Sequence, residues 1–392
     1  MAPSTRPPPD AAEVRDDAPG AVPVDGMDVH VFRVPTDGPD GVEEDATLRW
    51  EATTAVLVRV HAAGRCGLGW TYGDGPAVAG FAASLLAPAV RGGDARAPAA
   101  LWHRMNAAVR NAGRSGAGAM ALSAVDIALW DLRARLLDVP LFRALPAVHD
   151  GVPVYGSGGF TNYSTGRLTE QLAGWADEGV PRVKLKIARD PVRDAERLTA
   201  VRAAIGPDTE LFVDANGGLG RREARRWAVR LADEWDVRWF EEPVGSEDPE
   251  GLRQVRAARP PGQEVAAGEY GNVLGDFTAL LDAGAVDCLQ ADLTRCGGVT
   301  GLLRVAGLCA ARGVDLSAHC APAVSAHGFC AVERLRHLEW FHDHVRIEAL
   351  LFDGVPRPEG GVLRPPRDRP GLGLEVRWSD AEPYRVHGRR PG

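Results

Sequence analysis

Eight ionisable residues between positions 184 and 339 of the sequence stand at or beside the ends of short apolar segments. Two are lysines two positions apart, five are acids and one is a histidine, a set that suits proton transfer beside a metal ion. They recur about one strand-and-helix unit apart, a spacing that would bring them to one end of a repeated βα fold. The eight are Lys184, Lys186, Asp214, Glu241, Glu269, Asp292, His319 and Glu339.

Three of the acids, Asp214, Glu241 and Glu269, end three consecutive segments. Three hard oxygen ligands, with room for water and a bidentate substrate, suit Mg²⁺. Without a cation, three such charges would repel one another in a pocket of low dielectric. Any one of them alone is typical of a helix N-cap or a surface charge, but the three in register predict metal ligands.

Lys184 and Lys186 are two positions apart, so on a strand both side chains point to the same side. Each charge lowers the pKa of the other, and a nearby divalent cation would lower both. A lysine with a depressed pKa can act as a general base near neutral pH. The alternative is a solvated strand edge, which the apolar neighbours disfavour: Val183, Leu185 and Ile187.

Asp292 and His319 end neighbouring segments and predict a second acid–base group. A carboxylate behind an imidazole orients it, fixes its tautomer and stabilises its charged form. Glu339 leaves two interpretations open: a protonated carboxyl that hydrogen-bonds a substrate carboxylate, or a structural charge.

The elements that would position these residues form a repeat. After Pro153, eight short apolar runs alternate with amphipathic helical stretches such as 222–235 and 298–313. This rhythm predicts a protein of the α/β class, with a (β/α)8 (TIM-like) barrel over residues 149–365. The runs are 153–158, 182–187, 210–216, 237–243, 263–269, 286–292, 314–319 and 338–341.

Before the barrel, residues 26–148 predict an N-terminal α+β capping domain. Residues 27–34 and 53–62 alternate and are rich in Val, which indicates strands, whereas 98–138 has helical spacing with small residues for close packing. Two segments are poor in bulky apolar residues and predict disorder: an extension over 1–25 and the tail, from about Asp380, of a C-terminal segment over 366–392.

The bulk composition limits the classes of partner. Apolar residues make up 45% and charged residues 25% of the 392 residues, so a large core is possible. The net charge of −8, without a long basic run, argues against nucleic-acid binding. Six cysteines without a CxxC pair predict reduced thiols in a cytoplasmic protein, and no secretory signal or membrane-spanning run is found.

Six motifs of this sequence resemble those of the mandelate racemase subgroup of the enolase superfamily: VKLKI, VDAN, WFEEP, AAGE, LQADLTRCGGVTG and SAH. The resemblance runs from about Met27 to Val376. Residues 64–73 look like that family's mobile capping-domain loop, and 121–132 look like its long cap helix. Residues 371–376 are similar to its tail, which returns to the cap.

The resemblance implies a Mg²⁺-dependent enzyme, usually a homo-oligomer, that removes the proton next to a substrate carboxylate. One departure is Tyr270, where a tryptophan is common; this would change pocket shape and not chemistry. The residues that match the family's functional positions are Asp214, Glu241 and Glu269 for Mg²⁺, Lys186 assisted by Lys184 for one face of the substrate, His319 paired with Asp292 for the other, and Glu339 for the substrate carboxylate.

The implied enediolate has two main fates. Loss of a β-hydroxyl, protonated by His319, gives dehydration of a sugar acid to a 2-keto-3-deoxy acid, which we favour. Reprotonation from the opposite face gives a racemase or epimerase on the same scaffold. A polyol substrate needs many hydrogen-bonding partners. Polar side chains that could supply them are Trp70, Tyr72, Ser157, Thr161, Asn162 and Tyr163.

Other classes fit the residues less well. A cycloisomerase needs no histidine acid, and the intact Asp292–His319 pair argues against it. A zinc amidohydrolase needs an HxH motif on the first strand, but here the motif is His342–His344, after the eighth, with no role that the sequence reveals. A non-catalytic homologue would have lost at least one of the eight positions.

Overall fold

The computed structural model describes residues 20–387, and its larger part is a closed barrel of eight parallel strands. Each strand pairs with the next along the chain, and the eighth pairs with the first, which closes the barrel. All eight predicted strand segments are confirmed, with small shifts at their ends. The strands are Val152–Gly158, Arg182–Lys186, Glu210–Asp214, Val237–Glu241, Glu264–Ala267, Cys288–Ala291, Asp315–Ala318 and Leu335–Phe341.

A helix follows each barrel strand and covers the outside of the barrel. In Arg221–Trp235, for example, buried residues recur every three or four positions and form the apolar stripe that faces the strands: Ala224, Trp227, Ala228, Leu231 and Trp235. The helices are Thr165–Asp177, Pro191–Ile205, Arg221–Trp235, Pro249–Ala258, Leu274–Asp282, Gly298–Arg312, Pro322–Gly328 and His342–Leu351.

The N-terminal part is an α+β unit, called the cap below, built on a four-stranded antiparallel sheet. The order across this sheet is Arg385–His387, Gly26–Pro35, Ala52–Ala62 and Arg65–Tyr72. A short hairpin, Glu43–Glu44 with Arg49–Trp50, connects the first two strands in the chain. The helices of the cap are Gly75–Phe81, Ala82–Leu86 (a π-helix), Ala87–Val90, Pro98–Ala108, Ala117–Leu136 and Leu141–Ala144.

Residues 64–73, which the family resemblance assigns to a mobile loop, instead form the buried strand Arg65–Tyr72. Two glycines explain why this segment is a strand. A Cβ added at Gly67 or at Gly69 would lie 2.1 Å from a backbone oxygen of the helix Ala117–Leu136. Glycine therefore lets the strand lie directly on the helix, at Ala124 and Ala128, two of the small residues for which close packing is predicted.

The predicted helical stretch 98–138 is interrupted in the structure. The helix Pro98–Ala108 ends well before Ala117–Leu136 begins. Gly113 and Gly116 in the connection have φ of 117° and 62°, in a region that only glycine adopts at little cost.

Gly69→Val is expected to destabilise the protein by roughly 3 kcal/mol, because the added side chain must displace the helix backbone. The measurement is the midpoint of urea-induced unfolding followed by circular dichroism. Gly80→Ala is the matched control, since a Cβ there meets open space on an exposed helix position and should be neutral or slightly stabilising. A Gly69→Val protein as stable as the wild type would contradict the close approach.

Both predicted disordered segments are ordered where the structure describes them. Val24 N donates to Gly93 O at 2.9 Å, so apolar residues just before the first cap strand are packed and hydrogen-bonded. At the other end, His387 pairs with Val31 at the edge of the cap sheet. Residues 1–19 and 388–392, the rest of the predicted disorder, lie outside the described residues.

The segment 371–376 returns to the cap. Leu372 N donates to Asp131 in the long cap helix, and Arg135 from the same helix donates to Leu374 O at 2.7 Å. None of the helices within residues 20–387 combines the length and apolar character needed to cross a membrane. All six cysteines are unpaired.

Candidate active site

The structure brings all eight candidate residues together at the carboxyl ends of the barrel strands. Each is exposed by 7% or less. Parallel pairing places consecutive strand ends side by side, so Lys186 pairs with Asp214, and Asp214 with Glu241. The cluster therefore follows directly from the register of the barrel.

The carboxylates of Asp214, Glu241 and Glu269 offer oxygens that all lie within 4.8 Å of one another. Two of the three are fixed by neighbours: Asn216 N donates to Asp214 Oδ1 at 2.8 Å, and Trp239 Nε1 donates to Glu241 Oε2 at 2.8 Å. Burial raises the pKa of Glu241 to about 7, and neighbouring carboxylates add to this effect. A hard divalent cation such as Mg²⁺ fits this donor set, because it would relieve that repulsion with oxygen ligands alone.

The two lysines are held by these acids. Lys186 Nζ donates to Asp214 Oδ2 at 2.6 Å, and Lys184 Nζ donates to Glu241 Oε1 at 2.6 Å. Burial and Lys184 lower the pKa of Lys186, but the negative charges of Asp214, Glu269 and Glu339 together raise it above its ordinary value. The predicted depressed pKa is therefore wrong for the protein groups taken alone. A divalent cation held by Asp214 would oppose this effect.

His319 lies against Asp292, as the sequence predicts. Its Nδ1 is 2.9 Å from Asp292 Oδ2, while Thr294 donates to the other oxygen of that carboxylate from its amide and its hydroxyl, at 2.7 and 2.6 Å. Burial lowers the pKa of His319, but Glu269, Glu339 and Asp292 together raise it above its ordinary value. The arrangement favours the charged imidazolium, which is a proton donor.

Glu339 is an acceptor and not the donor considered from the sequence. Lys184 Nζ lies 2.8 Å from its Oε1, and Ser157 Oγ donates to the same oxygen at 2.6 Å. Burial alone would raise the pKa of Glu339, but Lys184 and His319 hold it well below its usual range. The carboxylate therefore carries a negative charge between the lysine pair and the histidine.

Two regions of the chain match known protein families. Residues 44–145 match the family described as "Mandelate racemase / muconate lactonizing enzyme, N-terminal domain". Residues 167–381, more than half of the chain, match the family described as "Enolase C-terminal domain-like". The chain belongs to the enolase superfamily. The two matches cover most of the cap and most of the barrel, so the predicted family and fold are both confirmed.

Relatives within the superfamily include enzymes of known activity. A mandelate racemase/muconate lactonizing enzyme-like protein from Rubrobacter xylanophilus is 57% identical, with a TM-score of 0.90, covering 93% of this chain and 100% of its own. D-galactarolactone cycloisomerase from Agrobacterium fabrum is 30% identical over 371 residues, 88% of this chain and 94% of its own. L-talarate/galactarate dehydratase from Salmonella typhimurium, solved with Mg and L-lyxarohydroxamate, is 26% identical with a TM-score of 0.87, covering 99% and 100%.

The cluster of this enolase-superfamily enzyme opens into a cavity of about 310 Å³ beneath the cap. Lys186 and His319 both line it. A larger depression of about 690 Å³ shares Asn216 and Tyr270 with it, but has no lysine or histidine among its lining residues, so we place the chemistry in the smaller cavity. The cap contributes lining residues that sequence analysis missed: Asp45, Leu48, Trp50, Thr53 and Thr54.

Most of the polar side chains expected to contact a substrate instead bind other groups of the protein. Tyr72 lines the cavity, and Ser157 binds Glu339. Thr161 Oγ1 donates to Glu44 O at 3.0 Å. Asn162 and Tyr163 donate hydrogen bonds to Val42 and Glu43, so all three side chains bind the cap hairpin. Trp70 is buried, with its ring 4.7 Å from that of Phe352, and it does not line the cavity.

The segment His342–His344, whose role the sequence leaves open, fastens the eighth barrel strand to the cap. Its first histidine lies 2.9 Å from Asp37, and its aspartate accepts a hydrogen bond from Thr53 Oγ1 at 2.8 Å. The second histidine stacks on Tyr72, with ring centroids 3.6 Å apart. These contacts place the cap loop over the cavity, and they account for the motif without a zinc amidohydrolase site.

A buried carboxyl pair at this junction gives a pH-dependent prediction. Burial, followed by the charge of Asp343 and a hydrogen bond to it, raises the pKa of Glu43 to about 10. Folding therefore takes up a proton, so this contribution to stability is complete below about pH 4 and is lost as the pH rises towards about 10.

Glu43→Gln keeps a neutral side chain at this position at every pH. Its free energy of unfolding should therefore fall less steeply than that of the wild type between about pH 6 and about pH 9, by up to about 1.4 kcal/mol per pH unit. Glu51→Gln, an exposed change beside the same hairpin, should follow the wild-type curve. Parallel curves for Glu43→Gln and the wild type would show that Glu43 is already ionised.

Proposed function

We propose that this enzyme dehydrates a sugar acid, removing the proton α to its carboxylate and then the β-hydroxyl to give a 2-keto-3-deoxy acid. One observation carries the proposal: Lys186 and His319, two groups that can exchange protons, line the same cavity beside a three-carboxylate cluster. A single base would suffice for proton abstraction alone. Elimination of water also needs an acid for the leaving hydroxyl.

Asp214, Glu241 and Glu269 would hold Mg²⁺, the cofactor of this superfamily. When bound, the ion offsets the negative charge that develops on the substrate carboxylate as the α-proton leaves. Lys184 adds to this effect, because Glu241 and Glu339 hold its pKa well above the ordinary value despite burial, so its charge is permanent.

The proton transfers are assigned to the other two groups. Lys186 takes the α-proton, and the electron pair of the broken C–H bond forms an enediolate. His319, charged through its carboxylate neighbours, donates its proton to the β-hydroxyl, so that the C–O bond breaks and water leaves. The resulting enol becomes the 2-keto acid. Asp292 keeps the imidazole in one orientation throughout.

A polyhydroxylated substrate fits the lining of the cavity. Hydroxyls and carboxylates from the cap, at Asp45, Thr53 and Thr54, can exchange hydrogen bonds with sugar hydroxyls, while Trp50 and Phe341 present apolar faces. The dehydratase and the cycloisomerase described above are named for galactarate, talarate and galactarolactone, which are sugar diacids and a lactone of one. Sugar acids are therefore the first substrates to test.

The experiment is a screen of the purified protein with Mg²⁺ against aldonic acids, aldaric acids and their lactones in D₂O. Semicarbazide detects 2-keto acids, and NMR detects deuterium at the α-carbon. Keto acid from one substrate, lost on chelation and restored by Mg²⁺, would support the proposal. Incorporation of α-deuterium without keto acid would instead identify a racemase or epimerase. Isomerisation of a lactone would identify a cycloisomerase.

A further inference from the structure

We propose that the cavity contains a second metal site, formed by His319, Cys320 and Glu339, which binds a thiophilic divalent cation such as Zn²⁺. All three side chains line the cavity and are almost fully buried. His319 Nε2 lies 3.3 Å from Cys320 Sγ and 3.6 Å from Glu339 Oε2. Cys320 Sγ lies 3.3 Å from the same Glu339 oxygen. One nitrogen, one sulfur and one oxygen thus form a nearly equilateral triangle.

The size of this triangle fits one face of a tetrahedral zinc site. Zinc binds histidine nitrogen at ~2.0–2.1 Å, thiolate sulfur at ~2.3 Å and carboxylate oxygen at ~2.0–2.2 Å, which places ligand atoms roughly 3.4–3.6 Å apart. The three observed separations differ from these values by about 0.3 Å or less. Small side-chain movements therefore suffice to accept the ion.

The other atoms of these side chains are already held, while the ligand atoms contact one another, and His319 Nε2 also lies 3.2 Å from Glu269 Oε2. His319 Nδ1 is bound by Asp292 at 2.9 Å, the carboxylate–histidine arrangement that commonly supports a zinc ligand. Glu339 Oε1 is engaged by Lys184 and Ser157, whereas Oε2 accepts from the Cys320 amide at 3.2 Å and keeps a second lone pair for a metal. Cys320 has φ of 51°, and this left-handed conformation places its sulfur between the other two ligands.

The chemistry of the donor set separates this site from the carboxylate cluster. Asp214, Glu241 and Glu269 supply oxygen alone, which suits Mg²⁺, whereas nitrogen and sulfur ligands select zinc and its neighbours among the transition metals. Binding forms one bond to each ligand atom and releases two protons to solvent, the thiol proton of Cys320 and the Nε2 proton of the His319 imidazolium. The fourth position faces the cavity, where water or a substrate oxygen completes the tetrahedron.

Occupation of this site would inhibit the enzyme. The ion takes the electron pair of His319 Nε2, which proton transfer to the β-hydroxyl requires. This consequence rests on the proposed function, whereas the binding itself does not. The test is therefore a binding measurement that needs no substrate.

The experiment uses Co²⁺ as a spectroscopic probe on the full chain in excess Mg²⁺. Cobalt bound to a thiolate gives a sulfur-to-metal charge-transfer band in the near ultraviolet, together with intense visible bands when the site is tetrahedral. We expect the wild type to develop both with one equivalent of Co²⁺ per chain, and Zn²⁺ to abolish them. Cobalt in the carboxylate cluster has no sulfur ligand and gives no such band.

Cys320→Ser should lose the charge-transfer band, and Cys66→Ser, which changes a thiol outside the cavity, should keep it. If Cys320→Ser does not fold, His319→Asn, which retains the thiol, tests the metal site. Its affinity for Zn²⁺ should fall by more than the ~10–100-fold that loss of an outer-sphere partner costs. A wild type without the band, a band that persists in Cys320→Ser, or unchanged affinity in His319→Asn would each overturn the proposal.

Discussion

Replacing Lys186 with methionine should reduce dehydration by about 10⁴-fold while leaving the fold intact. Methionine occupies a similar volume in this buried position but has no amine to accept the α-proton. Both keto-acid formation and α-deuterium incorporation should be lost, because each requires the C–H bond to break. The measurements are the semicarbazide assay and NMR in D₂O, with thermal unfolding to establish that the variant is folded.

His319→Asn separates the two proton transfers. It should lose keto-acid formation to a similar degree but still incorporate α-deuterium, since Lys186 remains to take the proton. Arg182→Met is the matched control for the lysine change, because Arg182 begins the same strand at the opposite end of the barrel. Exchange that survives in Lys186→Met but not in His319→Asn would reverse the two assignments.

Asp292→Asn is expected to lower the dehydration rate by about 10⁴-fold, the cost of the same change behind the histidine of a serine-protease triad. The carboxylate fixes the proton on His319 Nδ1 and stabilises the imidazolium at 2.9 Å. An amide can instead donate to Nδ1, which selects the wrong tautomer, and it carries no charge. The measurement is kcat over a range of pH at saturating Mg²⁺.

Asp315→Asn is the control for this amide change. Asp315 begins the seventh barrel strand, opposite to the end that carries His319, and it forms a surface ion pair with Arg334 at 2.6 Å. Its substitution should leave kcat unchanged. A loss smaller than about tenfold in Asp292→Asn would mean that the carboxylate does not set the protonation of His319.

The barrel and its cluster could be predicted because local sequence determines both. Parallel strands of similar length repeat at regular intervals, so a residue at a strand end in sequence is also at the barrel mouth in space. Lys186, Asp214 and Glu241 are neighbours simply because their strands are paired in register. No tertiary contact outside the barrel is needed to place them.

The cap side of the cavity could not be predicted in this way. Trp50 and Thr53 reach it only because the cap docks on His342–His344, and nothing local to either segment reveals that contact. The resemblance suggests a mobile loop for the glycines of Arg65–Tyr72, because no local pattern shows their close approach to a helix far along the chain. Likewise, the pKa of Lys186 depends on a carboxylate whose distance the sequence does not give.

The lysine content of the sequence carries a further signal for the site. The chain contains 45 basic residues, yet only two of them, Lys184 and Lys186, are lysines. Everywhere else the positive charge is arginine, which cannot give up its proton near neutral pH. A chain that keeps lysine only at two alternate, inward-facing positions of one strand indicates a need for an amine there, before any motif is considered.

The edge strand of the cap has a consequence for the order in which the protein folds. Val31 pairs with His387, so the first strand synthesised waits for Arg385–His387 before its sheet is complete. The whole barrel leaves the ribosome in that interval, and closing so long a loop is entropically costly until the barrel has formed. We therefore expect the barrel to fold during translation and the cap to be completed last. A truncation before Arg385 would then damage the lid of the cavity, although every acid and base of the cluster had been made.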